Sequence, residues 1–120
     1  AVNGEDFEIS FAAGGFTEYI QSAVDWTEVV KYTDFINIMT YDLVHGFSTV
    51  SGHHTPLYST PQQVESTDHA VQMLLAAGVP ANQLVIGAAF YGRFFKINEG
   101  SPVDLYMPGT CSHGFSLCDQ

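Results

Sequence analysis

Phe35-Ile36-Asn37-Ile38-Met39-Thr40-Tyr41-Asp42 is the stretch on which the fold turns. A nearly continuous apolar run of this length, ending in a phenol and a carboxylate, reads as a strand covered on both faces, the pattern of parallel sheets. Side chains alternate along a strand, so Asn37, Met39 and Tyr41 share one face.

Outward from this run, two further segments have the same character. Phe7–Ala13 alternates Phe7, Ile9 and Phe11 against Glu8, Ser10 and Ala12, and ends at Gly14-Gly15. Leu84–Phe90 runs into Tyr91-Gly92-Arg93, with Gly87, Ala89, Tyr91 and Arg93 on one face and Leu84, Ile86, Ala88 and Phe90 on the other. Helical signals separate the strands. Asp25 followed by Glu28 resembles a capping box, with Trp26, Val29 and Val30 as the packed face. Between Ser66 and Ala77, residues Ala70, Val71, Leu74 and Leu75 recur at helical spacing, and Gly78 then Pro80 supplies the stop. About three parallel strands joined by two right-handed crossover helices make an α/β chain.

The connections are unequal. Residues 32–34 and 78–83 are short turns, whereas 43–65 exceeds the usual length of a structureless loop. It carries His45, Gly46, Gly52, His53, His54, Pro56 and Tyr58. Barrel enzymes place their active sites on loops that follow strand C-termini. Three strands cannot close a barrel, which takes roughly 250 residues. The sequence is therefore either a small open sheet or part of a larger barrel, and the absence of a starting Met suits a piece of a longer chain.

Composition narrows the function. Among 120 residues the net charge is −10, and Lys31, Arg93 and Lys96 are the three basic residues. Nucleic-acid binding requires clustered Lys and Arg, and anionic membranes attract the same groups, so neither partner is expected. No apolar run reaches the ~20 residues of a membrane span, and residues 1–6 lack the pattern of a signal peptide. Cys111 and Cys118 are too far apart for a Cys-x-x-Cys motif and too few for a disulfide framework. A local disulfide between them, which implies export, stands beside two free thiols. His53-His54 raises metal binding, but adjacent histidines rarely share an ion and no third ligand is evident. No metal and no cofactor is expected.

The motif Met39-Thr40-Tyr41-Asp42 resembles the end of the sixth barrel strand of family 18 glycoside hydrolases, the chitinases. Ala12-Ala13-Gly14-Gly15 is similar to the end of their fifth strand in bacterial members. Gly52-His53-His54-Thr55-Pro56-Leu57-Tyr58 looks like the loop after strand six. Val79-Pro80, Leu84–Gly87 and Phe90-Tyr91-Gly92-Arg93 look like the seventh strand. The matches keep family order from Phe7 to Phe95. The resemblance implies part of a (β/α)8 TIM barrel over residues 1–95, and over 96–120 the start of an α+β insertion or an irregular tail. It implies a substrate-assisted, retaining hydrolysis of β-1,4-linked N-acetylglucosamine polymers, in which the substrate's own acetamido oxygen attacks the anomeric carbon. Family 18 is an exception to the two-carboxylate rule.

By match to the motif, Tyr41 and Asp42 are the catalytic residues: the phenol aims a donor at the acetamido oxygen, and the carboxylate assists the acid glutamate by like-charge repulsion. Met39, Tyr91 and Arg93 are substrate-binding candidates. If the polar faces of both strands point inward, Arg93 lies beside Asp42. Met39 is also open to a packing role, Trp26 is read as core, and Tyr58, Tyr106 and Phe115 either stack on sugars or cover apolar surface. One departure matters: the family's Asp-x-x-Asp-x-Asp-x-Glu run, which ends in the acid, does not occur in this sequence. The chain is therefore expected to be inactive alone and to need the remainder of its barrel. Its partner is expected to be chitin or a chito-oligosaccharide, in an extracellular or secreted setting. The rival expectations are a catalytically dead, chitin-binding lectin-like member of the same family, and a stand-alone α/β binding module.

Overall fold

In the computed structural model residues 7–110 are described. Strand β1 (Ser10–Gly14), helix α1 (Thr17–Ser22), helix α2 (Trp26–Val29), strand β2 (Phe35–Met39), helix α3 (Thr67–Ala76) and strand β3 (Leu84–Ile86) follow in that order. The three strands form one parallel sheet whose spatial order, β1-β2-β3, is also the chain order. Ser10 stands opposite Phe35 and Gly14 opposite Met39, while Ile36 stands opposite Leu84 and Ile38 opposite Ile86.

This register explains the core. It aligns Phe11 and Ala13 with Ile36 and Ile38 on the face that carries the helices. Ala13, Ile36 and Ile38 are fully buried there, with Ile20, Trp26, Ala70, Leu74 and Val79. Full burial of an Ile side chain is worth about 1.5–3 kcal/mol, so the two β2 isoleucines anchor the sheet to its helices. Phe11 stacks on Trp26 at 6.3 Å between ring centroids. The Trp26 indole N–H donates to the Ile20 carbonyl at 2.7 Å, tying α2 to α1. The other face of β2, Asn37 and Met39, is half-buried.

The helix ends follow local chemistry. Asp25 caps α2 by accepting from the Glu28 amide. Its carboxyl is held below the ordinary value by the Thr27 hydroxyl and then by that amide. Ser66, fully buried, caps α3 by accepting from the His69 amide at 3.1 Å. At the far end Gly78 takes φ +92°. The Val79 amide then reaches the Leu74 carbonyl and the Gly78 amide that of Leu75. This is a Schellman closure, and it needs a residue tolerant of the left-handed region.

Several details differ from the sequence reading. The first strand is Ser10–Gly14 rather than 7–13, although the Ile9 and Asp34 main chains still meet at 2.8 Å beyond it. Helix α1 was not anticipated, so the first crossover holds two short helices. Leu75 lies exposed rather than on the packed face of α3. Strand β3 stops at Ile86, although the Gly87 amide still donates to the Ile38 carbonyl at 2.9 Å. Val85, Ile86 and Phe90 are exposed, Phe90 almost completely. Two-sided burial fails there because, among the described residues, no strand pairs with the outer edge of β3. Beyond it, β4 (Lys96–Ile97) and β5 (Gly109–Thr110) form a small antiparallel ladder separate from the parallel sheet.

Candidate functional site

The C-terminal ends of β2 and β3 converge on one cluster. Tyr41 leaves β2 with its ring against Gly87, where a Cβ would stand 3.0 Å from Tyr41 Cε1 and 3.0 Å from the Ile38 carbonyl oxygen. The missing side chain thus makes the seat for the phenol. Tyr91 meets Tyr41 edge-on, with centroids 6.1 Å apart. At the end of β1, Gly15 plays a similar part: a Cβ there would lie 2.9 Å from the Met39 carbonyl oxygen. Met39 itself, half-buried, ends β2 beside this contact.

Asp42 is the centre of the polar contacts. Its φ of +57° is left-handed, uncommon for any residue but tolerated by Asp. Arg93 donates to Asp42 Oδ1 twice, from Nε at 2.9 Å and from Nη2 at 2.6 Å. The Arg93 side chain is 3% exposed and that of Asp42 24%. Removing one partner of such a pair strands a buried charge and typically costs about 3–5 kcal/mol. The guanidinium also lies 5.3 Å from the Tyr91 ring centroid. Burial lowers its affinity for the proton, yet the hydrogen bond and charge of Asp42 raise the Arg93 pKa overall. Burial also pushes the Tyr91 phenol up, and the neighbouring Asp42 carboxylate adds to this. The phenol therefore stays neutral and able to donate.

The long segment 43–65 folds back onto the strand end. The Leu43 amide donates to the His54 carbonyl at 3.1 Å, and the Thr55 hydroxyl to the Thr40 carbonyl at 2.9 Å. Between these two bonds, His54 Nδ1 accepts from the Asp42 amide at 3.1 Å and lies 3.5 Å from Asp42 Oδ1. Its imidazole tilts against the Tyr91 ring at 4.7 Å. Burial holds the His54 pKa below the usual histidine value, against the opposing pull of Asp42. The Gln63 side-chain amide brackets His53, accepting from its N–H at 2.9 Å and donating to its carbonyl at 2.8 Å. Farther out, Ser51 is buried and exchanges main-chain bonds with Tyr106 and Met107, so the segment after β4 leans on this loop.

The structure thus brings Tyr41, Asp42, Tyr91 and Arg93 together, with Met39 at the base of the same strand end. His54 and Gly87 belong to the cluster but were not singled out from the sequence as site residues; the Gly-His-His run was the available signal for the first. His53 points elsewhere, edge-on to Tyr106. No group of three metal-ligating side chains forms among the described residues. Trp26 is in the core, Tyr58 is exposed, and the Tyr106 hydroxyl shares a hydrogen bond with Thr60. Cys111, Cys118 and Phe115 lie outside the described residues. No described helix is long and apolar enough to cross a membrane.

The sequence profile of the glycosyl hydrolases family 18 matches residues 1–115. Chitinase 1 of Aphanocladium album is 38% identical over 102 residues, covering 81% of this chain and 24% of that protein. An oviduct-specific glycoprotein of Papio anubis is 31% identical over 93 residues, covering 78% of this chain and 15% of the other. The crystal structure of the Group IV chitinase of Ostrinia furnacalis superposes with a TM-score of 0.77 at 31% identity, covering 84% of this chain and 29% of the enzyme. The chain therefore spans less than a third of the length of each of these proteins.

Proposed function

The chain belongs to the glycosyl hydrolases family 18 and is an α/β part of a TIM barrel, and on that premise we propose that it is the acetamido-orienting portion of a chitinase cleft. The observation that carries this is the convergence of Tyr41, Asp42, Tyr91 and Arg93 at the C-terminal ends of two adjacent parallel strands. The substrate is a β-1,4-linked N-acetylglucosamine chain. Its acetamido carbonyl oxygen attacks the anomeric carbon. The glycosidic oxygen leaves with a proton from an acid that lies elsewhere in the barrel, and water opens the oxazolinium with retention. In this scheme the chain's own residues orient rather than bond covalently. Tyr41, seated by Gly87, aims its hydroxyl at the acetamido oxygen. Asp42 bears on the same sugar ring and on the acid. Arg93 fixes the Asp42 carboxylate through Oδ1. Holding the attacking group in line is a large part of the rate in such reactions. An exported parent barrel supplies the remaining strands and takes chitin or its oligomers as partner.

Tyr41→Phe in the parent barrel tests the reading. The ring and its seat remain, so folding and substrate affinity are expected to persist. The turnover number is expected to fall about 10²–10³-fold, the usual effect of losing one preorganised donor. Near-parental turnover on N-acetylated oligomers refutes the role given to Tyr41.

The family's acid run is not among these 120 residues, and a second reading is a family member that binds sugar without cleaving it. The parent sequence preceding residue 1 separates the two. A complete Asp-x-x-Asp-x-Asp-x-Glu run supports the hydrolase, and a replaced final position supports the binding protein.

A further inference from the structure

We infer that His54 is a positioning residue for Asp42: a neutral imidazole, accepting at Nδ1 from the Asp42 amide, holds the left-handed main chain that turns the carboxylate toward Arg93. This rests on the chitinase reading for its effect on turnover, but not for its geometry. Asp42 has a positive φ and bonds to His54 at the same peptide, so the imidazole acts where the chain departs from strand geometry. The ring is not what attaches the loop. The Leu43 amide on the His54 carbonyl and the Thr55 hydroxyl on the Thr40 carbonyl hold residues 54 and 55 in place without it.

The tautomer follows from the donors. The Asp42 N–H points at Nδ1, so Nδ1 carries no proton and the neutral ring bears its proton on Nε2. That Nε2 is buried, and the ring also has a main-chain hydrogen bond with Val44 that opposes the effect of burial on its pKa. A proton on Nδ1 would face the Asp42 amide donor to donor. The ring would then turn to the carboxylate oxygen 3.5 Å away, exchanging the main-chain bond for a bond to Asp42 Oδ1. That move competes with Arg93 for the same oxygen. The charged and titratable groups facing the ring are Asp42 from the end of β2, and Tyr91 and Arg93 from the segment after β3.

The sign of the pH effect is fixed. Burial depresses the His54 pKa, so the positioned state is complete above the ordinary histidine range and is lost as pH falls through the lower, folded value.

The test uses the parent barrel, its His54→Asn and His54→Leu variants, and nitrogen-15 imidazole spectra of the unmutated protein. The Asn side-chain oxygen occupies the place of Nδ1 and does not titrate. His54→Asn is expected to keep most of the turnover number and to lose the acid-side step that tracks ring protonation. His54→Leu is expected to fall about 10²-fold, the scale of a misplaced catalytic group, in turnover more than in KM. The spectra are expected to show a neutral ring protonated on Nε2. A ring protonated on Nδ1, or Asn and Leu variants with equal turnover and equal pH profiles, overturns the inference. If the parent hydrolyses no chitin, the functional reading fails and the tautomer decides this inference alone. If the Leu variant does not fold, the Asn profile and the spectra decide it.

Discussion

At the scale of single residues, the site depends on what is absent as much as on what is present. Gly87→Ala would place a methyl group 3.0 Å from both the Tyr41 ring and the Ile38 carbonyl oxygen. The ring is the part able to move. Overpacking of this kind typically costs about 1–3 kcal/mol, offset by up to about 1 kcal/mol from the lost freedom of glycine in the unfolded chain. A lower melting midpoint and a reduced turnover number are expected for this variant of the parent barrel. An unchanged turnover number would mean that the phenol is seated by something else. Much of this cluster was legible in the sequence. Tyr41 and Asp42 came from a motif, and the meeting of Arg93 with Asp42 was expected from the inward faces of the two strands. Both residues nevertheless lie past the strand ends, where the left-handed Asp42 main chain rather than alternation brings its carboxylate to Arg93. The contact of His54 with Asp42 was not legible. It arises from a loop turning back twelve residues later, where no periodicity operates. The role of Gly87 was hidden for another reason: a seat for a ring is a property of two strands in register, not of one.

At the scale of elements, caps and stops did what local chemistry demands, while pairing decided the lengths. Ser66 and Gly78 bound α3 as the sequence indicates, because both act on main-chain groups within a few residues. Ser66 also shares a hydrogen bond with Ser59 at 3.0 Å, so it joins the helix start to the long loop. Ser66→Ala is expected to destabilise the parent barrel by about 1–2 kcal/mol, read as a shift in denaturant midpoint with an unchanged slope. A shift near zero would show that the cap is dispensable. Helix α1 escaped the sequence reading because it is short, has no side-chain cap and buries only Ile20 fully. Strand β3 was read too long because apolar character persists to Phe90, although strand length is set by partners. The β4–β5 ladder has two residues a side, too few for alternation to register.

At the scale of the whole molecule, the sheet has one strand fully flanked and two with an unpaired side among the described residues. Exposed Phe7, Ile9, Ile86 and Phe90 accompany those sides. The sequence could report such side chains as apolar, but not that the described residues leave them uncovered. The isolated chain is expected to hydrolyse no fluorogenic chitobioside. It lacks the acidic run, and general acid assistance alone typically supplies about 10²–10⁴-fold. Turnover by rigorously purified protein would contradict the assignment of the acid to another strand. The sheet order has a different consequence for how such a protein can be divided and inherited. Because neighbours along the chain are neighbours across the sheet, a contiguous gene segment encodes a contiguous wedge of the structure. Such a wedge can be exchanged between homologous genes by two crossovers. Its seams are two parallel strand edges and a fan of apolar side chains, and everything that orients Asp42 among the described residues travels within it.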